Sequence, residues 1–428
     1  MVRPTSMTTS SKRVVVVGAG LVGAIQSLLL ARDGHQVTVI ERRSFENHSS
    51  HKEDPNSALN SRTVALSHRS WQLLNGAGLW PTIACSPIQT VHVTERGKFG
   101  SIKLSSIELQ LDALGYVVSN SGFESFLYNR LKNDSGVELI ESASVTSLSN
   151  TAEGVTVCIS ADGGTQTIDA DLLIAADGAK SGVRSMLGIS VDQKDYDQCA
   201  VIANVTTAKD HHNVAYERFT DSGPLAMLPL WPEHADSCTT GGNRYSMIYT
   251  ITTRDRDAVQ SMQDSDFLAL LQKRFGGRSG RFTTVGKRFI VPLQLTVSSK
   301  QIEKRCILVG NASRSLHPVA GQGLNLAVRD MFELVSCLRA SYSRTSGAQS
   351  DNCTDTALRM FSKKRRGDQW AVTKHTDLLA QVFTSKPWMQ ELPLSAARSS
   401  SFLLLDFIDP LRKKFAAMNI GEHVPLAR

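Results

Sequence analysis

The chain has 428 residues, enough for two or three domains around a large core. Hydrophobic residues make up 41% and charged residues 20%, a globular composition rather than a disordered or membrane-spanning one. The net charge of +7 is scattered and accompanies no nucleic-acid-binding signature, so nucleic acid is not expected as a partner, and a solvated basic surface or a weak pull toward anionic lipid remains.

Residues Met1 to Arg13 are rich in Ser and Thr and lack an apolar run, so a tail is expected there rather than a secretory signal. Val14 to Val17 then read as a strand buried on both faces of a parallel sheet. The turn after it has glycines in the order G-x-G-x-x-G. Gly18 suits the tight strand-to-helix turn, Gly20 lets a pyrophosphate approach the backbone, and Gly23 lets the next helix pack closely. A helical pattern follows at Ala24, Ile25, Leu28, Leu29 and Ala31. A second strand, Gln36 to Ile40, ends at Glu41, whose carboxylate suits a ribose diol. This context signals an adenine dinucleotide and leaves FAD and NAD(P) as alternatives.

Residues 45–61 are polar and turn-rich and are expected to form a surface loop. Its His48 and His51 have no carboxylate cluster at ligand spacing, so solvated side chains are expected and no metal. Arg62 precedes a helix containing Trp71, Leu73 and Leu74, and is either a phosphate or flavin contact or a surface charge. Val91 to Leu104 alternates as a hairpin around Arg96-Gly97-Lys98. Helical periodicity returns at Phe123, Phe126, Leu127 and Leu131. Strands follow at Val137 to Ile140 and Val155 to Ile159, the latter turning through Asp162-Gly163-Gly164 into Gln166 to Ile168. The run that begins at Asp171 reads as another buried strand, ending in the Asp177-Gly178 turn of ADGAKSGVR.

From Ala200 to about Leu295 strand-like runs dominate, interrupted by one helix at Ser265 to Arg274, which predicts a mainly antiparallel inserted domain. Cys306 to Val309 is a strand that leads into GNASRSLHPVAGQGLNLAVRD and a helix from about Leu324 to Leu338. Ligands bind at such strand ends and helix N-termini. A polar loop spans Ser341 to Thr354, and the remainder reads as helical. An apolar stripe at Phe402 to Phe407 and Leu411, flanked by Arg412, Lys413 and Lys414, is either a docked helix or an interfacial segment. The seven cysteines are widely spaced without C-x-x-C, which argues against a disulfide framework or zinc site and fits a reducing cytosol. Cys306 and Cys337 are expected in the core. No run is long enough to span a membrane, so a cytoplasmic protein is expected, with peripheral contact at the inner membrane as the alternative.

Together, GAGLVG, ADGAKSGVR and GNASRSLHPVAGQGLNLAVRD resemble the class A flavin aromatic hydroxylases, which carry GxGxxG, DG and GD motifs in this order. The run HPVAGQGLNL, with VHVTERG, LGYVV, CAVIANV and YERFTDSGPLAMLPL, is similar to the ubiquinone-biosynthesis hydroxylases of that class. The resemblance implies a Rossmann-like α/β FAD-binding domain with an inserted antiparallel β-sheet substrate domain and a C-terminal helical region. The expected division is 1–90, 119–194 and 296–350 for FAD, 91–118 and 195–295 for substrate, and 351–428 for the helical region.

The resemblance also implies tightly bound FAD, with NAD(P)H and O2 as cosubstrates. Gly18, Gly20, Gly23, Glu41 and Arg42 would take its adenosine end and pyrophosphate, with Arg62 near phosphate or flavin. Asp177 and Gly178 would lie by the pyrophosphate, Gly310 and Asn311 by the ribityl chain, and Pro318, Gly321, Gln322, Gly323 and Asn325 around the isoalloxazine. Asn311 stands where most of the class has Asp, Ser121 where many have Arg, and Ser27 where Ala is usual. The implied reaction converts a 2-polyprenyl-6-methoxyphenol to the 1,4-benzoquinol through a flavin C4a-hydroperoxide. Hydroxylation at another ring carbon and an O2-independent prenyl-lipid reductase are the alternatives. His317 is the candidate proton acceptor, with packing or hydrogen bonding as its other reading. A ubiquinone-biosynthesis complex and the membrane surface are implied partners.

Overall fold

A computed structural model describes residues 11–44, 62–97, 101–161, 163–231, 242–318, 321–343 and 353–382. The chain opens with β1 (Arg13–Val17), α1 (Leu21–Arg32), β2 (Gln36–Ile40), β3 (Thr63–Ser67), α2 (His68–Gly76), β4 (Cys85–Ile88), β5 (Thr90–Glu95), β6 (Ser101–Ser105) and β7 (Gly115–Ser119). It continues through α3 (Asn120–Asn133), β8 (Val137–Ile140), β9 (Ser144–Asn150), β10 (Val155–Ala161), β11 (Gly164–Ala170), β12 (Leu172–Ala175), α4 (Gly182–Met186), β13 (Val191–Thr207), β14 (Val214–Thr220) and β15 (Gly223–Leu230). The last elements are β16 (Arg244–Thr252), α5 (Arg256–Ser261), α6 (Asp264–Phe275), β17 (Phe282–Val285), β18 (Phe289–Ser298), β19 (Ile302–Glu303), β20 (Cys306–Leu308), β21 (Arg314–Ser315), α7 (Gln322–Ser343) and α8 (Cys353–Val382).

The first sheet has the order β19-β20-β12-β1-β2-β8 and is parallel apart from the short edge strand β19. All four valines of β1 are buried, because one face packs against α1, α3 and α7 and the other against β10 and its neighbours. Crossovers that cover both faces are what a parallel sheet requires. β20, β12 and β1 lie side by side, so the three glycine-containing loops leave one sheet at one edge.

The second large sheet runs β21-β18-β13-β16-β15-β14-β5-β6, with β17 also paired to β13. Its pairs are antiparallel except β14 with β5. The two faces differ. Leu225, Met227, Tyr245 and Met247 point to the side covered by Phe267, Leu271 and Phe275 of α6. Ala215, Phe219 and Leu230 point the other way, toward Val117 of β7, Ala65 of β3 and Leu379 of α8. The small antiparallel sheet β3-β7-β4 therefore sits between the two large ones. Thr63 Oγ1 donates to Ser246 Oγ at 2.8 Å and ties β3 to β16.

Helix α7 extends two residues before and five after its predicted span, because buried residues continue to Tyr342. α8 packs along it, and on α8 the expected apolar residues divide: Leu379 faces the large sheet, whereas Trp370 and Leu378 are exposed. Cys306 and Cys337 are buried free thiols, as expected. Cys85 is disulfide-bonded, a departure from the expectation of free thiols. The loop with His48 and His51, the N-terminal tail, the turn residue Asp162, most of the polar loop after α7 and the stripe at 402–414 lie outside the described residues. No helix among the described residues is long and apolar enough to cross a membrane.

Candidate functional site

The site is built from the carboxyl ends of β1, β12 and β20. Gly18 has φ +100, and a Cβ there would stand 2.7 Å from the carbonyl oxygen of Ala176, so only glycine lets the first loop pass the second. A Cβ on Gly23 would fall 1.8 Å from the carbonyl oxygen of Gly18. Gly20 is different: nothing lies within 4 Å of its missing Cβ. Two glycines thus close the turn, and the third leaves open space at the N-terminus of α1. Ser27 fits the helix because its buried hydroxyl donates back to the carbonyl of Gly23 at 2.8 Å.

Glu41 is buried at the end of β2, and its Oε2 accepts from the Ala19 N–H at 2.6 Å. Its other oxygen takes the Arg43 N–H at 3.0 Å and Arg43 Nε at 3.2 Å. Arg43, not Arg42, pairs with it; Arg42 is exposed, and so is Arg62. The carboxylate holds the first loop in shape while two oxygens keep lone pairs for a hydroxyl.

In the second loop Asp177 Oδ2 accepts from the Val183 N–H at 3.1 Å. Its Oδ1 is buried without a hydrogen-bond partner among the described residues. Gly178 has φ +88 with open space around it. In the third loop Gly310 has φ +56 and lies against Val22, at 3.1 Å from an added Cβ, which brings this loop onto the first helix. Asn311 is exposed beside it. Arg184 was not singled out in the sequence, although it closes the ADGAKSGVR run. It is buried and donates to the Ala312 carbonyl from one nitrogen and the Ala179 carbonyl from another, each at 2.9 Å, clamping the second loop to the third.

At the far end Asn325 fixes the start of α7. Its Oδ1 accepts from Ser67 N–H at 2.8 Å, and its Nδ2 donates to the carbonyls of Gly321 at 2.8 Å and Ala65 at 3.3 Å. Gly321 has φ +59, Gly323 has open space around it, and Gln322 is buried. Pro318 is half-buried. His317 is buried and meets Tyr196 of β13 edge-on at 5.3 Å. Burial pushes its imidazole down to about 4, so the ring is neutral at physiological pH. Tyr196 in turn donates to Asp377 of α8 at 2.9 Å, which also pairs with Lys194 at 2.7 Å. Ser121 is exposed at the start of α3, with its hydroxyl 3.1 Å from that of Ser119. Among the described residues no three His, Cys, Asp or Glu side chains gather as metal ligands.

The profile of the FAD binding domain family matches residues 11–374. The chain belongs to that family. It is 30% identical to the ubiquinone hydroxylase UbiL of Rhodospirillum rubrum over 95% of this chain and 89% of the relative. It is 28% identical to the 3-demethoxyubiquinol 3-hydroxylase of Escherichia coli over 93% of this chain and 97% of the relative. Its fold is similar to that of p-nitrophenol 4-monooxygenase from Pseudomonas putida, with a TM-score of 0.68, 18% identity, and coverage of 96% and 99% of the two chains. The protein is an FAD-dependent monooxygenase of the aromatic hydroxylase type. The residues present fit such a cofactor: the open space at Gly20 admits a pyrophosphate, and the buried Asp177 Oδ1 is an acceptor in want of a hydroxyl donor.

Proposed function

We propose that this protein hydroxylates a polyprenyl phenol of ubiquinone biosynthesis, converting a 2-polyprenyl-6-methoxyphenol to the 1,4-benzoquinol with NAD(P)H and O2. The observation that carries this reading is the meeting of three glycine loops at one sheet edge, opposite the apolar face of a second sheet. Its supports are the two relatives named for ubiquinone hydroxylation and the likeness of the YERFTDSGPLAMLPL and HPVAGQGLNL runs to bacterial 2-octaprenyl-6-methoxyphenol hydroxylase.

In this reading Gly18, Gly20 and Gly23 carry the pyrophosphate, Glu41 the ribose and Asp177 a hydroxyl between them. Gly310 and Asn311 would hold the ribityl chain, and Pro318, Gly321, Gln322, Gly323 and Asn325 would lie around the ring. FAD, held there, would supply the redox chemistry between NAD(P)H, O2 and the phenol. The chain's own work is to orient and enclose. Helix α7, 22 residues long, would offer its N-terminal N–H groups and partial positive charge to a flavin held by the loop before it, which favours the negative charge of the reduced ring. Ala65, Phe219 and Leu379 pack in one apolar cluster, which would keep water from the reacting oxygen. His317, neutral and packed against Tyr196, shapes the ring pocket by packing, since an imidazole depressed this far is a weak proton acceptor.

The Escherichia coli relative, named for hydroxylation at position 3, favours a second reading in which another ring carbon is attacked. A polyprenyl tail also requires delivery from a bilayer or carrier, for which the stripe at 402–414 is the candidate contact. Deletion of the gene and identification of the accumulating quinone precursor tests the reaction. Accumulation of the methoxyphenol supports the first reading, and a precursor lacking a different ring hydroxyl supports the second. A purified protein that oxidises NAD(P)H with the phenol but consumes no O2 would be a prenyl-lipid reductase instead.

A further inference from the structure

Glu217 stands on the face of the large sheet that looks toward the flavin loops. Strand alternation puts it with Ala215 and Phe219. Its neighbours across the strands are Val93 on β5 and Ala226 on β15. Over this face lie Ala65 of β3 and Leu379 of α8. Ala65 is also the residue nearest to Gly321, with its Cβ 3.9 Å from where a Gly321 Cβ would be. A carboxyl group is therefore set among small and apolar side chains, one residue layer from the loop assigned to the flavin ring.

Nothing in the described protein answers it. Glu217 has no hydrogen bond or charge partner among the described residues, and it is half-buried rather than sealed. Arg218 and Tyr216 belong to the opposite face, where Tyr216 meets Phe275 of α6. On its own face Val93, Ala226, Ala65 and Leu379 are apolar, Glu95 of β5 and Arg244 of β16 stand farther along the same face, and burial is the one cause that moves its carboxyl. Desolvation alone pushes the carboxyl up to about 7. A lone carboxyl retained in an apolar face costs stability unless a ligand completes it.

We propose that Glu217 is the group that binds the phenolic hydroxyl of the substrate and accepts its proton as the ring is hydroxylated. This rests on the phenol hydroxylase reading above. The phenol O–H proton moves to a Glu217 oxygen, and its electron pair enters the ring. The ring carbon then forms the new C–O bond to the oxygen that O2 and NAD(P)H supply through the flavin. Glu217 returns the proton to the ring oxygen as that carbon releases its own hydrogen as a proton to solvent, leaving two hydroxyls. An acceptor that titrates near the working pH is the effective one for this transfer.

The test compares the FAD-loaded wild type with Glu217→Gln, Glu217→Asp and Glu217→Leu, using a short-chain 2-prenyl-6-methoxyphenol and its O-methyl ether. Binding is read by calorimetry without NAD(P)H, and turnover by product formation against NAD(P)H consumed. The wild type should bind the phenol at least tenfold more tightly than the ether, with an inflection near pH 7. Glu217→Gln and Glu217→Leu should lose both the preference and the inflection, and should lower product per NAD(P)H at least tenfold, while Glu217→Asp restores part of each. FAD content and melting temperature at pH 5 should be unchanged across the set, which separates a binding role from a folding one. Retention of the phenol preference and the pH inflection in Glu217→Gln would overturn the proposal. A wild type that prefers the phenol through Glu217 yet forms no hydroxylated product would overturn the hydroxylase reading and leave the binding site standing.

Discussion

The glycines of the first loop make opposite demands. Gly23 has no room for a methyl group and Gly20 has ample room, so Gly23→Ala should fail to fold or lose several degrees of melting temperature. Gly20→Ala should instead fold normally and lose FAD, because its methyl occupies the space reserved for the pyrophosphate. Calorimetric melting of the apoproteins and FAD titration separate the two outcomes. His317 carries the pH dependence at this scale. Burial holds its folded pKa near 4, below its ordinary value of 6.5, so the unfolded chain binds the extra proton first as pH falls. Stability on its account is intact above pH 6.5 and declines between 6.5 and 4. His317→Gln should flatten that part of a plot of melting temperature against pH.

Helices α7 and α8 are joined by buried charge rather than by apolar packing alone. Arg365 is fully buried and donates to Asp330 at 2.6 Å and to Asp368 at 2.5 Å. Arg329 reaches Asp368 at 3.0 Å and Gln369 reaches Asp330 at 2.8 Å. Burial raises the Asp330 carboxyl on balance, whereas Arg329 and Arg365 outweigh burial and lower Asp368. Arg365→Met leaves Asp330 hydrogen-bonded by Gln369 and Asp368 paired with Arg329, each short of a buried partner, and should destabilise the protein by about 3 kcal/mol. Adding Asp330→Leu should recover part of that loss, as denaturant unfolding would show. The same elements mark what a sequence discloses. The valine strand, its helix and the β12 and β20 strands were legible because a buried parallel strand followed by glycine is a local pattern. The short strands β4 and β7 were not read as strands, because Cys85-Ser86-Pro87-Ile88 becomes one only by pairing with Gly115–Ser119. Arg184 escaped notice for a similar reason. Its partners are carbonyls contributed by two separate loops, and no spacing rule announces such a clamp.

Across the whole molecule the cofactor is expected to act as a structural member. Three loops leave the first sheet at one edge, one of them with a buried acceptor on Asp177, and Gly321 at the start of α7 lies by Ala65 of the small sheet. A ligand bound there only in the folded state stabilises by mass action, about 2.7 kcal/mol at a hundredfold excess over its dissociation constant. Stripping FAD should lower the melting temperature by several degrees, and adding it back should restore the loss in a concentration-dependent way. A melting temperature indifferent to FAD would mean that the folded chain does not bind it in preference to the unfolded one. Beside the apolar packing of Ala65, Val117 and Leu379, Thr63 ties the small sheet to the large one through Ser246, and Asp377 ties α8 to Tyr196 and Lys194.

The three strand ends that frame the cofactor lie at residues 17, 175 and 308, neighbours in space but far apart in the order of synthesis. At about 5–20 residues per second, roughly 15 to 60 s separate the emergence of the first from that of the last. During that interval the nascent chain carries the valine strand and its glycine turn with no partner for half of the pocket. Flavin capture is therefore a late event in the life of each molecule, and a chain cut short before β20 has the opening motif intact yet nowhere to keep the cofactor that motif announces.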